Sequence, residues 1–468
     1  MKQAITIKTL FWSIICILVC GCSFFILHNA TWLLGDDCQT LIYTGWDKPI
    51  FGFFVSPTVG RFFPLDYTIY DVLCLFYDGQ IPASAHYFIH VFCFLLFIGA
   101  FIWLSFYFLK GQKPVWKYSI TLCVVILIIG RTFTNFAQLW TGIWTIFTFL
   151  PIFILCSIKF LENNKWGYGI AALLAINYIL YYYETMFLIP ITIGAVSLLF
   201  GYFGRDNKYS KSERIFFWSL IISGCLFLTL YGLLVLPRVE HFYSHHIDSS
   251  KLVNGLKMLF AQKILWLVVA LLFLRFIQLC KKNISVNFYD SLLIAAFIYY
   301  LGSAYLGLNY TLYYTPATII AIPAILVFSL QYFDKKWTLI MFIVLALFYG
   351  RKLPKDIVTN QNSRVSTYEN VQTLIKEIGD DCLYFYEPDN PSMESWELEI
   401  RSIRKFYLQT VTGWHMHNRD FSSERKENFD GSIGFWQVVS EDDESFVLNC
   451  PDAECVVNFG DSKVYRIK

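Results

Sequence analysis

"KTLFWSIICILVCGCSFFILHNATWLLGDD" runs from Lys8 to Asp37, and its first two-thirds, Leu10 to Leu27, contain no charged residue. An uninterrupted apolar run of about 17–25 residues is long enough to cross a bilayer as a helix. Two adjacent carboxylates, Asp36 and Asp37, stand where the chain leaves that run. "VCGC" (Val19–Cys22) approximates a lipoprotein cleavage box, but apolar residues continue through "SFFIL". The run therefore reads as an uncleaved first helix, longer than the apolar core of a signal peptide.

The rest of the 468 residues repeats the pattern. Charged residues make up 15% of the chain and hydrophobic ones 56%. Soluble domains carry about 25% charged residues, so this is the composition of a membrane protein. The net charge of +2 gives no basis for binding nucleic acid. Aromatics at 19% fit the belts that Trp and Tyr form at membrane interfaces. Of 13 cysteines, most sit in apolar runs, where Cys packs as a small hydrophobe. Cys450 and Cys455 are a candidate disulfide if their segment is exported; no structural zinc site is expected.

Spans are expected near 8–27, 86–109, 118–131, 142–161, 168–183, 185–203, 215–236, 259–279, 289–307, 313–332 and 337–350. The last is the shortest case: "WTLIMFIVLALFYG" rises only about 21 Å as a helix. Short loops on one side hold fifteen Lys and Arg, including Lys110, Lys117, Lys159, Lys211 and Lys281. Those on the other hold six: Lys48, Arg61, Arg131, Arg238, Lys251 and Lys257. The excess marks the cytoplasmic side. The N-terminus is then cytoplasmic, and the loop 28–85 and the tail from 351 face outward.

The tail carries 21 of the 35 acidic residues against 14 of the 37 basic ones. It reads as a small soluble α/β domain over 351–468, following a membrane domain over 1–350. Helices are expected at 366–378 and 395–411, and strands at "CLYFYEP", "FVLNC", "CVVNF" and "KVYRI". Gly460-Asp461-Ser462 is the turn between the last two strands. The expected fold class is an all-α polytopic membrane protein of about 11 transmembrane helices with a small C-terminal α/β extracytoplasmic domain.

Six acids, Asp36, Asp37, Asp47, Asp66, Asp71 and Asp78, crowd the first outer loop. That loop is far longer than a helix–helix link of about 2–8 residues. Its "FGFFVSP" and "PLDYTIYDVLCLFY" are amphipathic enough to lie on a membrane surface. A cytoplasmic start, one span, "GDD", a long amphipathic outer loop containing "GRFFPL", and a soluble tail resemble the C-type glycosyltransferase fold. The resemblance covers the layout of the whole chain, but in residues it rests on those two short motifs.

It implies an inverting membrane enzyme using a polyprenyl-phosphate sugar donor, a glycan or lipid as acceptor, and membrane lipids as surroundings. It also implies a cell-envelope role, with a bacterial inner membrane as the expected location. Carried over, the catalytic base is Asp36 or Asp37. Some branches instead hold a divalent metal there; nothing in the sequence requires one, and no metal ligand is assigned. The chemistry stands independently: an attacking hydroxyl must lose a proton, and neighbouring carboxylates raise one another's pKa. "GDD" capping the next helix is the rival explanation.

Other candidates follow from chemistry. Arg61, the only arginine of the first loop, is the first candidate to fork onto a donor phosphate or to anchor at headgroups, with Arg131 and Arg238 ranked behind it. Glu184 in "YYYETMF" is an acid at membrane depth, a position that is functional by default; it could bind substrate hydroxyls or merely mark a turn. His241 and His245 share a helix face and are candidate substrate contacts in a loop that is otherwise solvated. Tyr313 could stack on a sugar, or belong with Tyr310 and Tyr314 to the aromatic belt. Two rivals to a transferase are a polymerase or ligase of lipid-linked glycans, which leans on outer arginines, and a non-enzymatic lipid or glycan transporter. The internal repeat and midplane charges of many transporters are absent from the sequence.

Overall fold

The structure, a computed structural model, describes residues 2–28, 55–56, 60–65, 68–77, 82–137, 143–203, 209–239, 249–281, 286–308 and 310–361, with 382–385, 435–440, 453–459 and 462–467 in the tail. Each of the eleven apolar runs is matched by one main helix. They are α1 (Lys2–His28), α3 (Ala83–Phe108), α4 (Pro114–Phe136), α5 (Ile143–Asn163), α6 (Trp166–Leu180), α7 (Leu188–Phe203), α8 (Lys211–Leu234), α10 (Lys263–Cys280), α11 (Phe288–Tyr305), α12 (Thr315–Tyr332) and α13 (Lys335–Gly350). Short helices α2 (Thr68–Cys74) and α9 (Ser249–Ala261) lie between them. Nine helices among the described residues are long and apolar enough to cross a membrane. Of the other two, α6 has only 15 residues, and α11 carries Asp290 in its first turn.

Two boundaries differ from expectation. The run at 259–279 is broken at Gln262, which separates α9 from α10 as the N-cap of the latter. The last run does not stop at Gly350: helix resumes at 353–361, labelled α14. The apolar stretch Lys335–Gln361 covers 27 residues, ample for a bilayer.

Local signals set the ends. Pro114 opens α4 at a position where its missing N–H costs nothing. Ser210 with Glu213, and Asn287 with Asp290, form capping boxes at α8 and α11. Gly111, with φ of 79°, makes the left-handed turn between α3 and α4.

Ring and side-chain contacts show which helix ends share a level. Phe11 meets Phe106 and Tyr118, Lys159 lies over Trp103 and Tyr107, and Arg275 binds Asp290 and Tyr332. This brings together the start of α1, α4 and α11 and the finish of α3, α5, α10 and α12. At the opposite level Phe25 meets Phe133 and His90 bonds the Phe136 carbonyl. The long helices α1, α3, α4 and α5, and likewise α10, α11 and α12, therefore alternate in direction. The second level is called the rim here. The basic residues expected in the cytoplasm, including Lys110, Lys113, Lys117, Lys159, Lys281 and Lys335, flank the helix ends away from the rim.

The innermost helix is α12: 78% of its apolar window is buried, against 22% for α1. Several polar groups inside the bundle are paired, as lipid supplies no partners. Arg275 forks onto both Asp290 oxygens at 2.6 Å and donates to the Tyr332 hydroxyl at 2.6 Å, tying α10, α11 and α12.

In the tail, β3 (Cys382–Phe385), β4 (Phe435–Ser440), β5 (Ala453–Phe459) and β6 (Ser462–Ile467) form one sheet in the order β3-β4-β6-β5. β3 runs parallel to β4, and the other pairs are antiparallel. The strands at "CLYF", "CVVNF" and "KVYRI" are where the sequence places them, and β4 is one it did not indicate. The helices expected at 366–378 and 395–411, the "FVLNC" strand and Cys450 lie outside the described residues.

Candidate functional site

The site is assembled from helix ends at the rim. Its first part is a piece of the long loop. β1 (Val55–Ser56) pairs antiparallel with β2 (Arg61–Phe62), and Gly60, with φ of 74°, makes a backbone turn that a side chain would strain. Three contacts dock this segment. Phe62 is buried among Leu180, Phe227 and Val235. The Leu65 N–H donates to the Tyr181 carbonyl at 3.1 Å, and the Tyr231 hydroxyl donates to the Gly60 carbonyl at 2.8 Å.

Glu184 is the fourth clamp. It opens the 3-10 turn Glu184–Phe187 that follows α6. Its Oε1 accepts from Arg61 Nε and from the Phe62 N–H, each at 2.9 Å. The side chains of Arg61 and Glu184 are 29% and 19% exposed, so the pair sits at the rim's edge, mostly shielded from water. The Arg61 guanidinium also lies 4.7 Å over the Phe63 ring and 6.0 Å from that of Tyr183. Arg61 thus carries a carboxylate partner, which lowers the net charge it offers to a phosphate.

Tyr183 leads from this pair to the next part. Its ring stacks on Tyr313 at 6.0 Å and 17°, and Tyr313 meets Tyr310 edge-on at 6.3 Å. Burial first, then the neighbouring Tyr313, push the Tyr183 phenol well above its ordinary pKa, so it stays a neutral group. Tyr313 belongs to the 3-10 turn Thr311–Tyr314 that leads into α12. Tyr314 is fully buried, its hydroxyl donating to the Gly255 and Leu308 carbonyls, so it is a core residue and not part of a belt.

Arg131, on the last turns of α4, completes the arrangement. Its Nη2 donates to Gln262 Oε1 at 2.7 Å and to the Thr311 carbonyl at 3.1 Å. Its guanidinium lies 5.6 Å from the Tyr349 ring centroid. The Nε is buried without an acceptor. Among the described residues no carboxylate pairs with Arg131. One turn further along α4, Thr134 donates to Asp356 of α14 at 3.2 Å. The rim therefore holds one neutralised arginine and one fixed, uncompensated arginine, bridged by the Tyr183–Tyr313 pair and the Thr311–Tyr314 turn.

Of the residues singled out in sequence, Arg61, Glu184, Tyr313 and Arg131 converge on this rim. Arg238 ends the 3-10 turn Leu236–Arg238 beyond α8 and is exposed. Asp36, Asp37, His241 and His245 lie outside the described residues. Gln262, Thr311 and Tyr349 were not anticipated; the break at Gln262 in an apolar run was their only trace. The described residues hold no group of three or more His, Cys, Asp or Glu able to ligate a metal.

Along the flank of α5 and α6, an open apolar groove of about 550 Å³ is lined by Phe149, Ile152, Leu174 and Tyr178. It reaches Tyr181 and Leu65, under the docked loop segment.

No protein-family model matches the sequence, and no curated protein sequence matches it. Solved structures do. The chain is similar to crystal structures of ArnT from Cupriavidus metallidurans. One is bound to undecaprenyl phosphate, with a TM-score of 0.53 at 11% identity and 98% of both chains covered. The other, in the apo state, has a TM-score of 0.50 at 13% identity with the same coverage. At such identities the likeness shows the fold alone: over nearly its whole length this chain has the polytopic fold of those two structures.

Proposed function

We propose that the chain is an inverting membrane glycosyltransferase that moves one sugar from a polyprenyl-phosphate donor to a glycan or lipid acceptor. In this reading the rim faces outward, the N-terminus is cytoplasmic and residues 351–468 form an extracytoplasmic domain. The observation that carries the proposal is Arg131: a guanidinium fixed by neutral groups at the rim, with a buried N–H lacking an acceptor. The likeness to a structure that holds undecaprenyl phosphate supports the choice of anion.

The donor's isoprenoid tail enters from the lipid side, and the α5–α6 groove is an apolar surface suited to it. The donor phosphate binds at Arg131. Asp36 or Asp37 removes the proton from the acceptor hydroxyl as its oxygen forms a bond to the anomeric carbon. The bond from that carbon to the phosphate oxygen breaks in the same step, and the electron pair leaves with the phosphate, whose growing charge Arg131 stabilises. The proton then passes from the carboxylic acid to water. Arg61 and Glu184 hold the loop that follows the acid pair, and Tyr183 with Tyr313 offers a flat face to a sugar.

The test is transfer of a labelled sugar from a polyprenyl-phosphate donor in membranes containing the wild-type chain, Asp36→Asn or Asp37→Asn. One variant is expected to lose at least about 100-fold in rate, the usual scale of general-base catalysis. Full transfer by both would remove the acid mechanism. Lipid movement without a new glycosidic bond would instead identify a transporter.

A further inference from the structure

Arg131 differs in its surroundings from the two ion-paired arginines of the described residues and from the exposed Arg214, whose Nε donates to the Tyr209 carbonyl. Arg61 and Arg275 each bind a carboxylate, Glu184 and Asp290. Arg131 is held by a side-chain amide and a backbone carbonyl. The amide is not free to turn, because Gln262 Nε2 donates to the Met258 carbonyl at 2.9 Å and so directs Oε1 at the guanidinium. The approach of α13 is equally specific. A Cβ at Gly130 would lie 2.6 Å from the carbonyl carbon and oxygen of Tyr349, so glycine lets α13 close on α4. That contact sets the Tyr349 ring beside the guanidinium.

A glutamate at 262 would have nearly the shape of the glutamine and would hold Arg131 more strongly, since charge-assisted hydrogen bonds exceed neutral ones. The same change would set a second carboxylate oxygen against the Met258 carbonyl, where the amide now donates, so the gain lies in holding Arg131 and not in overall stability. We propose that Gln262 is a positioning residue whose neutrality determines specificity. It fixes the guanidinium without cancelling its charge, leaving Arg131 as a receptor for the phosphate ester of a lipid carrier. The inference rests on the reading of Arg131 given above and adds the residue that sets its charge.

The experiment measures binding of undecaprenyl phosphate, without sugar, to the full chain in lipid nanodiscs. The chains compared are wild type, Gln262→Glu, Gln262→Met and Arg131→Gln. Gln262→Glu is expected to weaken binding about tenfold or more, the cost of losing a hydrogen bond to a charged group, although it still holds the guanidinium. Gln262→Met loses the bond but keeps the net charge, so its affinity falls less than that of Gln262→Glu although its Tm drops. A purely structural role predicts the reverse order, with Met the weaker binder, and that order or an unchanged affinity in Gln262→Glu would overturn the proposal.

Discs of zwitterionic lipid, discs doped with phosphatidylglycerol, and added inorganic phosphate separate the possible sources of the anion. Displacement of the carrier by either competitor at equal concentration would defeat its assignment to a lipid carrier. Because no sugar is present, the outcome is independent of transfer. Binding sensitive to Gln262→Glu in a chain that never transfers sugar would keep the receptor and remove the enzyme. Transfer with indifference at 262 would do the opposite.

Discussion

Replacing Glu184 by alanine should release the loop segment that carries Arg61. One carboxylate oxygen accepts from both Arg61 Nε and the Phe62 N–H at 2.9 Å, and the pair is shielded enough for those bonds to count. A hydrogen bond to a charged group contributes about 1.5–3 kcal/mol, and water recovers part of this when the segment opens. Taking about 2 kcal/mol for the two together, the open population rises about 30-fold. The Arg61–Phe62 bond is itself a trypsin site, so the assay is the rate of cleavage there in purified protein at low protease. Cleavage then follows the open population. Glu184→Gln keeps an acceptor for both donors and should accelerate cleavage by only about a third as much on a logarithmic scale. An unchanged rate in Glu184→Ala would show that Phe62 burial and the Leu65 and Tyr231 bonds hold the segment unaided, and that Glu184 is free for another task.

Two further outcomes concern the scaffold. Gly130→Ala sets a Cβ against the Tyr349 backbone and should cost about 1–3 kcal/mol, read as a lower Tm together with weaker undecaprenyl phosphate binding through the displaced Tyr349. Asp290→Ala or Arg275→Met strands a buried charge and should cost about 3–5 kcal/mol, whereas the double change Arg275→Met with Asp290→Leu should recover most of it; equal Tm losses in single and double variants would contradict the pairing.

Most of the bundle could be read from the sequence because lipid forces every spanning segment to satisfy its own backbone, so apolar run length maps directly onto helices. The exceptions have local causes. At 118–131 the helix is longer than its apolar core, since Thr132, buried between helices, returns its hydroxyl to the Ile128 carbonyl and costs the helix little. At 259–279 an amide interrupts a run that hydropathy alone reads as continuous. β4 sits in a mixed stretch, "FWQVVS", whose pairing with β3 and β6 is set by distant residues.

The site was legible in residue type but not in partnership. Arg61, Arg131, Glu184 and Tyr313 stand out as polar or aromatic groups at span ends. Nothing in spacing shows that Glu184 neutralises Arg61 across 123 positions, or that Gln262 holds Arg131 across 131. The first comes from the docking of β2 against the turn after α6, and the second from the break at Gln262 lying beside the end of α4. They also change the ranking of the arginines: sequence favoured Arg61, and geometry favours Arg131.

A cryo-EM map of the full chain in nanodiscs with undecaprenyl phosphate would weigh the whole account at once. The account places the phosphate oxygens within hydrogen-bonding distance, about 3 Å, of the Arg131 guanidinium, with Gln262 unmoved and one of Asp36 and Asp37 facing the phosphate. A phosphate seated away from Arg131, or both acids turned into bulk water, would contradict it.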